Sequence, residues 1–195
     1  MKVGVLALQG DVPEHLRVLG TLVREPIAVR TPADLAGVEA LFLPGGESTT
    51  IARLIESAGL WHLLRNRIRD GLPVLATCAG LIVLARELAP SASGRDPPTL
   101  GVLDVTVRRN DYGAQRESCE APVVVDGLGK RPFPGVFIRS PRILSVGRDA
   151  APIAWRSDEV VGVRAGKVWG LTFHPELSGD LRVHRVFLAL ASGRA

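Results

Sequence analysis

The sequence predicts one α/β domain over residues 1–195, built on a central mixed, mostly parallel sheet flanked by helices. Three observations predict it. Continuous apolar runs at 3–8, 40–43 and 73–76 read as strands buried on both faces, as in a parallel sheet covered by helices. Helical periodicities lie between these runs. The order strand, helix, strand, helix, strand then calls for right-handed crossovers and a doubly wound sheet.

The elements follow in order. After the run at 3–8, Leu16, Leu19 and Val23 share a helical face. After 40–43, Ile51, Leu54, Ile55 and Ala58 recur at i, i+3, i+4 and i+7. Gly59 interrupts that pattern, and Trp61, Leu64 and Ile68 start a second helix. The run at 73–76 leads into a helix over 79–88. Residues 89–99 are rich in Pro, Ser and Gly and read as a loop. Short β-like runs follow at 102–107, 121–125, 135–138, 143–146, 152–156, 159–164 and 167–173, separated by Gly, Pro and Asp as in an antiparallel or mixed meander. Arg164-Ala165-Gly166-Lys167 reads as the hairpin turn between the last two. A helix near 180–191, with Val183, Val186, Phe187 and Leu190 on one face, closes the chain.

Composition narrows the class. Of 195 residues, 46% are apolar and 23% charged, which excludes disorder as the main state. Two cysteines, Cys78 and Cys119, cannot staple a domain of this length, so reduced thiols in the cytoplasm are expected. No apolar run approaches the ~18 residues of a membrane helix. The opening MKVGVLALQG turns polar too early for a signal peptide. The net charge of +4 invites a nucleic-acid reading, but the arginines are scattered and Arg65, Arg67 and Arg69 wrap around a helix. With 5% aromatic residues there is little to stack on bases, and solvated arginines are the simpler account.

Three features carry chemistry. Thr77-Cys78-Ala79-Gly80 falls at a strand-to-helix turn, the arrangement of a nucleophile elbow. The helix that follows offers unpaired N–H groups and a positive dipole end, which favour a thiolate and can hold an oxyanion. The plain alternative is an inert core cysteine. His174-Pro175-Glu176 follows the strand run 167–173, and Glu176 is placed to fix the tautomer of His174, as a base for a cysteine nucleophile requires. Taken alone, that tripeptide reads more readily as a surface turn with a casual His–Glu pair. Pro44-Gly45-Gly46-Glu47-Ser48-Thr49 joins a strand to a helix; its glycines let backbone N–H groups approach a ligand, and Ser48 or Thr49 could cap the helix. It matches neither a Walker loop nor GxGxxG. His15, His62 and His184 lie in helical patterns without metal-ligand spacing and read as packing or solvated residues. Ligands of open α/β sheets bind beyond the carboxyl ends of the strands. Cys78 and the Gly45-Gly46 turn both fall there, and His174 joins them if its strand is parallel.

At these residues the chain resembles the class I (triad) glutamine amidotransferases. Most closely it resembles the glutaminase-subunit branch that serves pyridoxal phosphate synthases. The blocks Gly4–Gly10, Pro44–Thr49, Thr77–Leu81, Arg109–Gly113, Phe137–Arg139 and Phe173–Leu177 carry the likeness, in order and nearly end to end. The resemblance implies a flavodoxin-like amidotransferase fold. It implies Cys78 as nucleophile, His174 as base and Glu176 as its orienting carboxylate. Gly46, Glu47, Ser48, Arg109, Ile138 and Arg139 would hold glutamine, with Arg109 or Arg139 suited to its carboxylate and Glu47 to its ammonium. Gly45, Gly46 and Ala79 would supply the oxyanion hole, and Gln9 would sense a partner. That partner would be a (β/α)8-barrel synthase in a large hetero-oligomer, fed ammonia along an internal route. No metal, flavin or nucleotide, and no nucleic acid or membrane, is implied. Three positions depart from the family pattern. Ala76 stands where Gly is common, Ala114 where Arg is common, and Cys119 where Phe is common; Cys119 reads as a packed or partly exposed thiol. Two other functions use the same residues. One is a stand-alone cysteine hydrolase of the γ-glutamyl peptidase kind, with a wider pocket. The other is a non-enzymatic redox or stress module built on Cys78, which leaves His174, Glu176 and Arg109 without a role.

Overall fold

A computed structural model describes residues 1–90, 96–109 and 118–193. Part of the expected loop at 89–99, the Asn110–Gly113 stretch and Ala114 lie outside the described residues.

Four strands are parallel neighbours: β1 (Val3–Leu6), β2 (Ile27–Val29), β3 (Ala40–Leu43) and β4 (Val74–Thr77). Between them lie α1 (Val12–Gly20), α2 (Pro32–Ala36), α3 (Ser48–Ser57) and α4 (Trp61–Arg69). After β4 come α5 (Ala79–Leu84), β5 (Ala85–Leu88), β6 (Leu103–Arg108), β7 (Cys119–Val125), β8 (Phe133–Phe137) and β9 (Arg142–Val146). The chain ends with β10 (Ala151–Arg156), β11 (Glu159–Ala165), β12 (Val168–Leu171) and α6 (Arg182–Ala191). The main sheet has the order β2-β1-β3-β4-β12-β11-β10-β7-β8. It is parallel from β2 to β12 and antiparallel from β12 to β8. The expected mixed sheet is present, with its parallel half carrying the helices.

The apolar runs explain that half. Along β3, Leu41 and Leu43 pack into one core and Phe42 into the other; along β4, Val74 and Ala76 face one side and Leu75 the other. Alternation in strands buried at every position means that both faces are covered. Helices α2 to α5 cover one face through Leu35, Ile51, Ile55, Leu64 and Leu81. Helices α1 and α6 cover the other through Leu19, Val183 and Phe187.

Several expectations are revised. The helix over 79–88 stops at Leu84, because Ala85 turns extended (φ −54°, ψ 147°) and 85–88 pairs with β6. Strands β5, β6 and β9 form a separate three-stranded sheet. The helical period of 79–88 continues past Leu84, but backbone pairing with β6 fixes the extended form, and Arg86 meets Asp104 at 2.7 Å across that pair. Strand β2 and helix α2 are additional. A signal for α2 is present in the sequence: Thr31-Pro32-Ala33-Asp34 forms a capping box with proline in the first turn. The hairpin turn at 164–167 is as expected, with Gly166 at φ 56°. Cys119 is exposed, its sulfur 4.0 Å from Nη1 of Arg156.

One buried residue in α6 makes the fold acid-sensitive. His184 stacks on Phe42 (5.8 Å, 11°), and burial holds its ring pKa down to about 4. The folded protein keeps it neutral while the unfolded chain protonates it below about 6.5. Its contribution to stability is therefore intact above pH ~6.5 and lost as pH falls towards ~4, at most about 3 kcal/mol. The variant H184F should flatten the fall in chemical-denaturation stability over that window; an unchanged slope would show that His184 does not set it.

Candidate active site

The carboxyl ends of four adjacent strands, β1, β3, β4 and β12, lie along one sheet edge. Each is followed by a segment that the sequence singles out or that turns out to matter: Gln9-Gly10-Asp11, Pro44-Gly45-Gly46, Cys78 and His174. Strand β12 is parallel to β4, as the placement of His174 requires.

Cys78 occupies a sharp turn between β4 and α5, with φ 47° and ψ −103°. A side chain held at positive φ costs on the order of 1–3 kcal/mol and persists only where its surroundings fix it. Here the Cys78 N–H donates to the Leu171 carbonyl at 2.8 Å, and its own carbonyl starts helix α5. Gly80 makes the tightness possible, since a methyl there would press on the backbone of Leu43. The thiol is buried and points at the Ile138 carbonyl, 3.9 Å away.

His174 is fixed by its backbone N–H, which donates to Val136 O at 2.8 Å, and by two carboxylates on Nδ1. Glu176 Oε1 stands at 2.8 Å and Asp11 Oδ2 at 3.2 Å. Burial opposes a charge on the ring. Hydrogen bonding to Asp11 and Glu176, the neighbouring Cys78 thiol and the Glu176 charge outweigh it and raise the ring pKa well above the usual histidine value. Burial likewise pushes the Glu176 carboxyl up, but His15 and His174 outweigh it and hold it below its usual value. Both directions describe an imidazolium–carboxylate pair. Nδ1 is occupied, so Nε2 is the nitrogen left for a reacting group; it has no hydrogen-bond partner among the described residues. Gly45 leaves the room this ring needs, since a methyl at that position would overlap the imidazole.

The same edge encloses a cavity of about 140 Å³. Cys78, Ala79 and Ile82 of the elbow form one wall, with His174 and Asp11 beside them. Gly46, Glu47 and Ser48 come from the turn before α3, and Arg109, Ile138 and Arg139 from the opposite side. Nine of the predicted site residues thus line one cavity. Gly45, Glu176 and Gln9 stand behind it. Gln9 accepts the Glu47 N–H at 2.9 Å through its side-chain oxygen, so it anchors the 45–47 turn from beneath. Gly46 adopts φ 144°, and a Cβ there would come within 2.6 Å of that same oxygen. Glu47, not Ser48 or Thr49, occupies the N-cap of α3, without a capping side-chain bond. Thr49 Oγ1 instead accepts from Arg109 at 3.2 Å. Arg139 reaches across to Glu47 at 2.6 Å.

Sequence reasoning passed over Asp11 and Ile82 and read His15 as a packing or solvated residue. Asp11 follows the Gly4–Gly10 block directly, and its position after β1 was the available signal. His15 carried none, because its partners are remote in the chain. Asp11, His174 and Glu176 also offer three ligand atoms within 4.8 Å of one another, the only such group among the described residues. The 2.8 Å gap between Nδ1 and Oε1 is a direct hydrogen bond, shorter than two ligands sharing one zinc at ~2.0–2.1 Å each would leave. No helix of the described residues is long and apolar enough to cross a membrane.

Residues 5–191 match the model of the SNO glutamine amidotransferase family. The chain belongs to this family. A relative from Deinococcus radiodurans, a pyridoxal 5'-phosphate synthase subunit PdxT, is 52% identical over 199 residues and covers 100% of both chains. A second PdxT, from Chloroflexus aggregans, is 48% identical over 191 residues, 97% of this chain and 100% of its own. A crystal structure described as a glutamine amidotransferase superposes with a TM-score of 0.90 at 44% identity, over 98% of this chain and 100% of the other. For a glutamine amidotransferase, a cysteine, a histidine and a carboxylate at one cavity are the expected equipment. The large sheet flanked by helices is the amidotransferase architecture anticipated from the sequence.

Proposed function

We propose that this chain is the glutaminase subunit of a pyridoxal phosphate synthase, a single cytoplasmic domain over 1–195 that passes ammonia to a synthase partner. The observation that carries the reading is the cavity itself. It brings Cys78 to a buried His174–Glu176 pair and lines the approach with two cations and two anions. A free amino acid is a zwitterion, and such a lining complements both of its ends. The volume, about 140 Å³, is well below the ~300–1,000 Å³ of a drug-sized site and suits one small ligand. That argues against a peptidase, which needs a wider groove. A redox module has no use for Glu176 buried against His174.

The chemistry follows from the positions. Glutamine enters with its carboxylate towards Arg109 and Arg139 and its ammonium towards Glu47 and Asp11, displacing the Glu47–Arg139 contact. The Cys78 thiolate attacks the side-chain amide carbon, while the thiol proton rests on Nε2 of His174. N–H groups at Ala79 and the Gly45-Gly46 turn receive the oxyanion. Collapse of the tetrahedral intermediate breaks the C–N bond, and His174 returns the proton to the departing ammonia. Water, deprotonated by the same ring, then cleaves the thioester to glutamate and restores the thiol. In the isolated chain the thiol turns to Ile138 rather than bonding Nε2. Such contacts tighten in the working complex, so weak activity alone and clear stimulation by the partner are expected. The partner is a (β/α)8-barrel subunit in a large hetero-oligomer, and Gln9, beneath the 45–47 turn, is the residue through which docking reaches the oxyanion hole.

The test is ammonia release from L-glutamine, with and without the synthase subunit. Stimulated release supports the reading; no release under either condition from folded protein overturns it. A second expectation concerns binding. R139M removes a charge-assisted hydrogen bond worth about 1.5–3 kcal/mol, so KM for glutamine rises roughly 10- to 100-fold with kcat nearly unchanged. An equal fall in kcat at constant KM would place Arg139 in the chemistry instead.

A further inference from the structure

The side of Glu176 turned away from the cavity meets a second histidine. His15, on α1, is fully buried. Its Nε2 lies 3.3 Å from Oγ1 of Thr77 and 3.5 Å from Oε1 of Glu176. That oxygen is the one that accepts from His174, and the Thr77 hydroxyl reaches it as well at 3.5 Å. Three groups from three elements therefore converge on one carboxylate oxygen. The ring of His15 cannot swing away, because Phe42 (5.8 Å, 52°) and His184 (6.3 Å, 61°) pack against it. Nδ1 of His15 has no hydrogen-bond partner among the described residues, so the polar function of this buried ring is directed through Nε2 at Thr77 and, beyond it, Glu176. A buried imidazole placed for packing alone leaves an uncompensated polar cost. Its bond to the Thr77 hydroxyl, which itself reaches Oε1 of Glu176, indicates a use.

We propose that His15 is a positioning residue of this site: its Nε2–H donates to the Thr77 hydroxyl, which in turn donates to Oε1 of Glu176, so that the carboxylate stays ionised and aimed at Nδ1 of His174. Burial keeps His15 below the usual histidine range, so it acts as a neutral donor. The Thr77 hydroxyl spends its proton on Glu176 and is left to accept from the ring, which makes Nε2–H the required tautomer. In a dry pocket a carboxylate with one donor is poorly held, and additional donors keep it anionic without adding a second charge. Oε2 of Glu176 has no partner among the described residues, so the hold falls entirely on Oε1. The outcome reaches Cys78 only through Glu176 and His174; His15 touches neither the cavity nor the thiol. The titratable groups facing this pair are Asp11 and Glu14 at the start of α1, His174 beside it and His184 on α6.

The inference rests on the glutaminase reading, and the experiment separates the two. Wild type, H15L and H15Q are assayed with the synthase subunit across pH 5.5–9. Leucine keeps the bulk without a donor; glutamine restores an N–H in the direction of Nε2. H15L should lose about 10- to 100-fold in kcat with KM for glutamine within about threefold, as loss of a supporting hydrogen bond behind a reacting group does. In the same variant the ring pKa of His174, read by NMR, should fall, because its counter-charge is less firmly held. H15Q should recover most of kcat and return the ring pKa towards wild type. If H15L is too unstable to assay, T77V deletes the hydroxyl of the same contact at constant volume and should move kcat and the ring pKa in the same directions. Wild-type kcat with an unmoved His174 titration in H15L, or in T77V where it replaces it, overturns the proposal. Equal losses in H15L and H15Q would reduce His15 to a packing residue and overturn it too. A wild-type complex that releases no ammonia overturns the functional reading itself, and this inference with it.

Discussion

Replacing Cys78 with serine removes glutamine hydrolysis by about 10⁴-fold or more, the scale on which loss of a nucleophile is felt when the rest of a catalytic unit remains. The hydroxyl is a poor anion, and an imidazole held by Glu176 and Asp11 is tuned to stand as a cation beside a thiolate. Stability separates this from a folding defect. Serine inherits the backbone at φ 47° and ψ −103°, so C78S unfolds close to wild type. C78G also lacks the nucleophile, but it relieves a strain of on the order of 1–3 kcal/mol against a glycine entropy cost near 1 kcal/mol. It is therefore expected to be more stable than C78S by up to about 2 kcal/mol in chemical denaturation. Turnover by C78S near the wild-type rate sinks the nucleophile assignment. C78G less stable than C78S shows that the elbow stores no strain.

The second large effect needs no change in any reacting group. A methyl at Gly45 occupies the space of the His174 imidazole and comes within 2.8 Å of Asp11 Oδ2. The ring has little freedom, because its backbone is tied to Val136 O and Nδ1 to Glu176 at 2.8 Å. Either the ring moves or the 44–46 turn does. The turn is held as well: Asp11 N–H donates to Gly45 O at 3.1 Å and Gly10 packs on Gly45. G45A should therefore displace the ring and cost about 10²-fold or more in kcat, since an ångström of misplacement is enough. A crystal structure of the variant would show the shift directly. Wild-type kcat would mean that the turn gives way without consequence for the ring.

Much of this site is legible in the residue order. Cys78 at a strand-to-helix turn, His174-Pro175-Glu176 after a strand and Pro44-Gly45-Gly46 before a helix are local patterns, each within a few residues. Their convergence needed only the rule that ligands gather at the carboxyl ends of strands, together with β12 lying parallel to β4. Gln9 shows the limit of such reasoning. Its place after β1 was evident, but its grip on the Glu47 N–H depends on how two loops meet. The end of α5 shows another limit. The apolar period of 79–88 continues beyond Leu84, and only the pairing of Ala85–Leu88 with β6 makes those residues a strand.

By itself the sequence determined the buried parallel strands, the elbow, the turn before α3 and the family, because period and spacing encode these within short stretches. The tertiary structure alone decided which charged and polar atoms meet. Asp11 shares Nδ1 of His174 with Glu176, Arg139 closes on Glu47, and His15 reaches Thr77 from 62 residues away. Those contacts follow from the order of strands in the sheet and the face each helix covers. They arise from burying both faces of the sheet at once, a property of the whole chain that no local pattern carries.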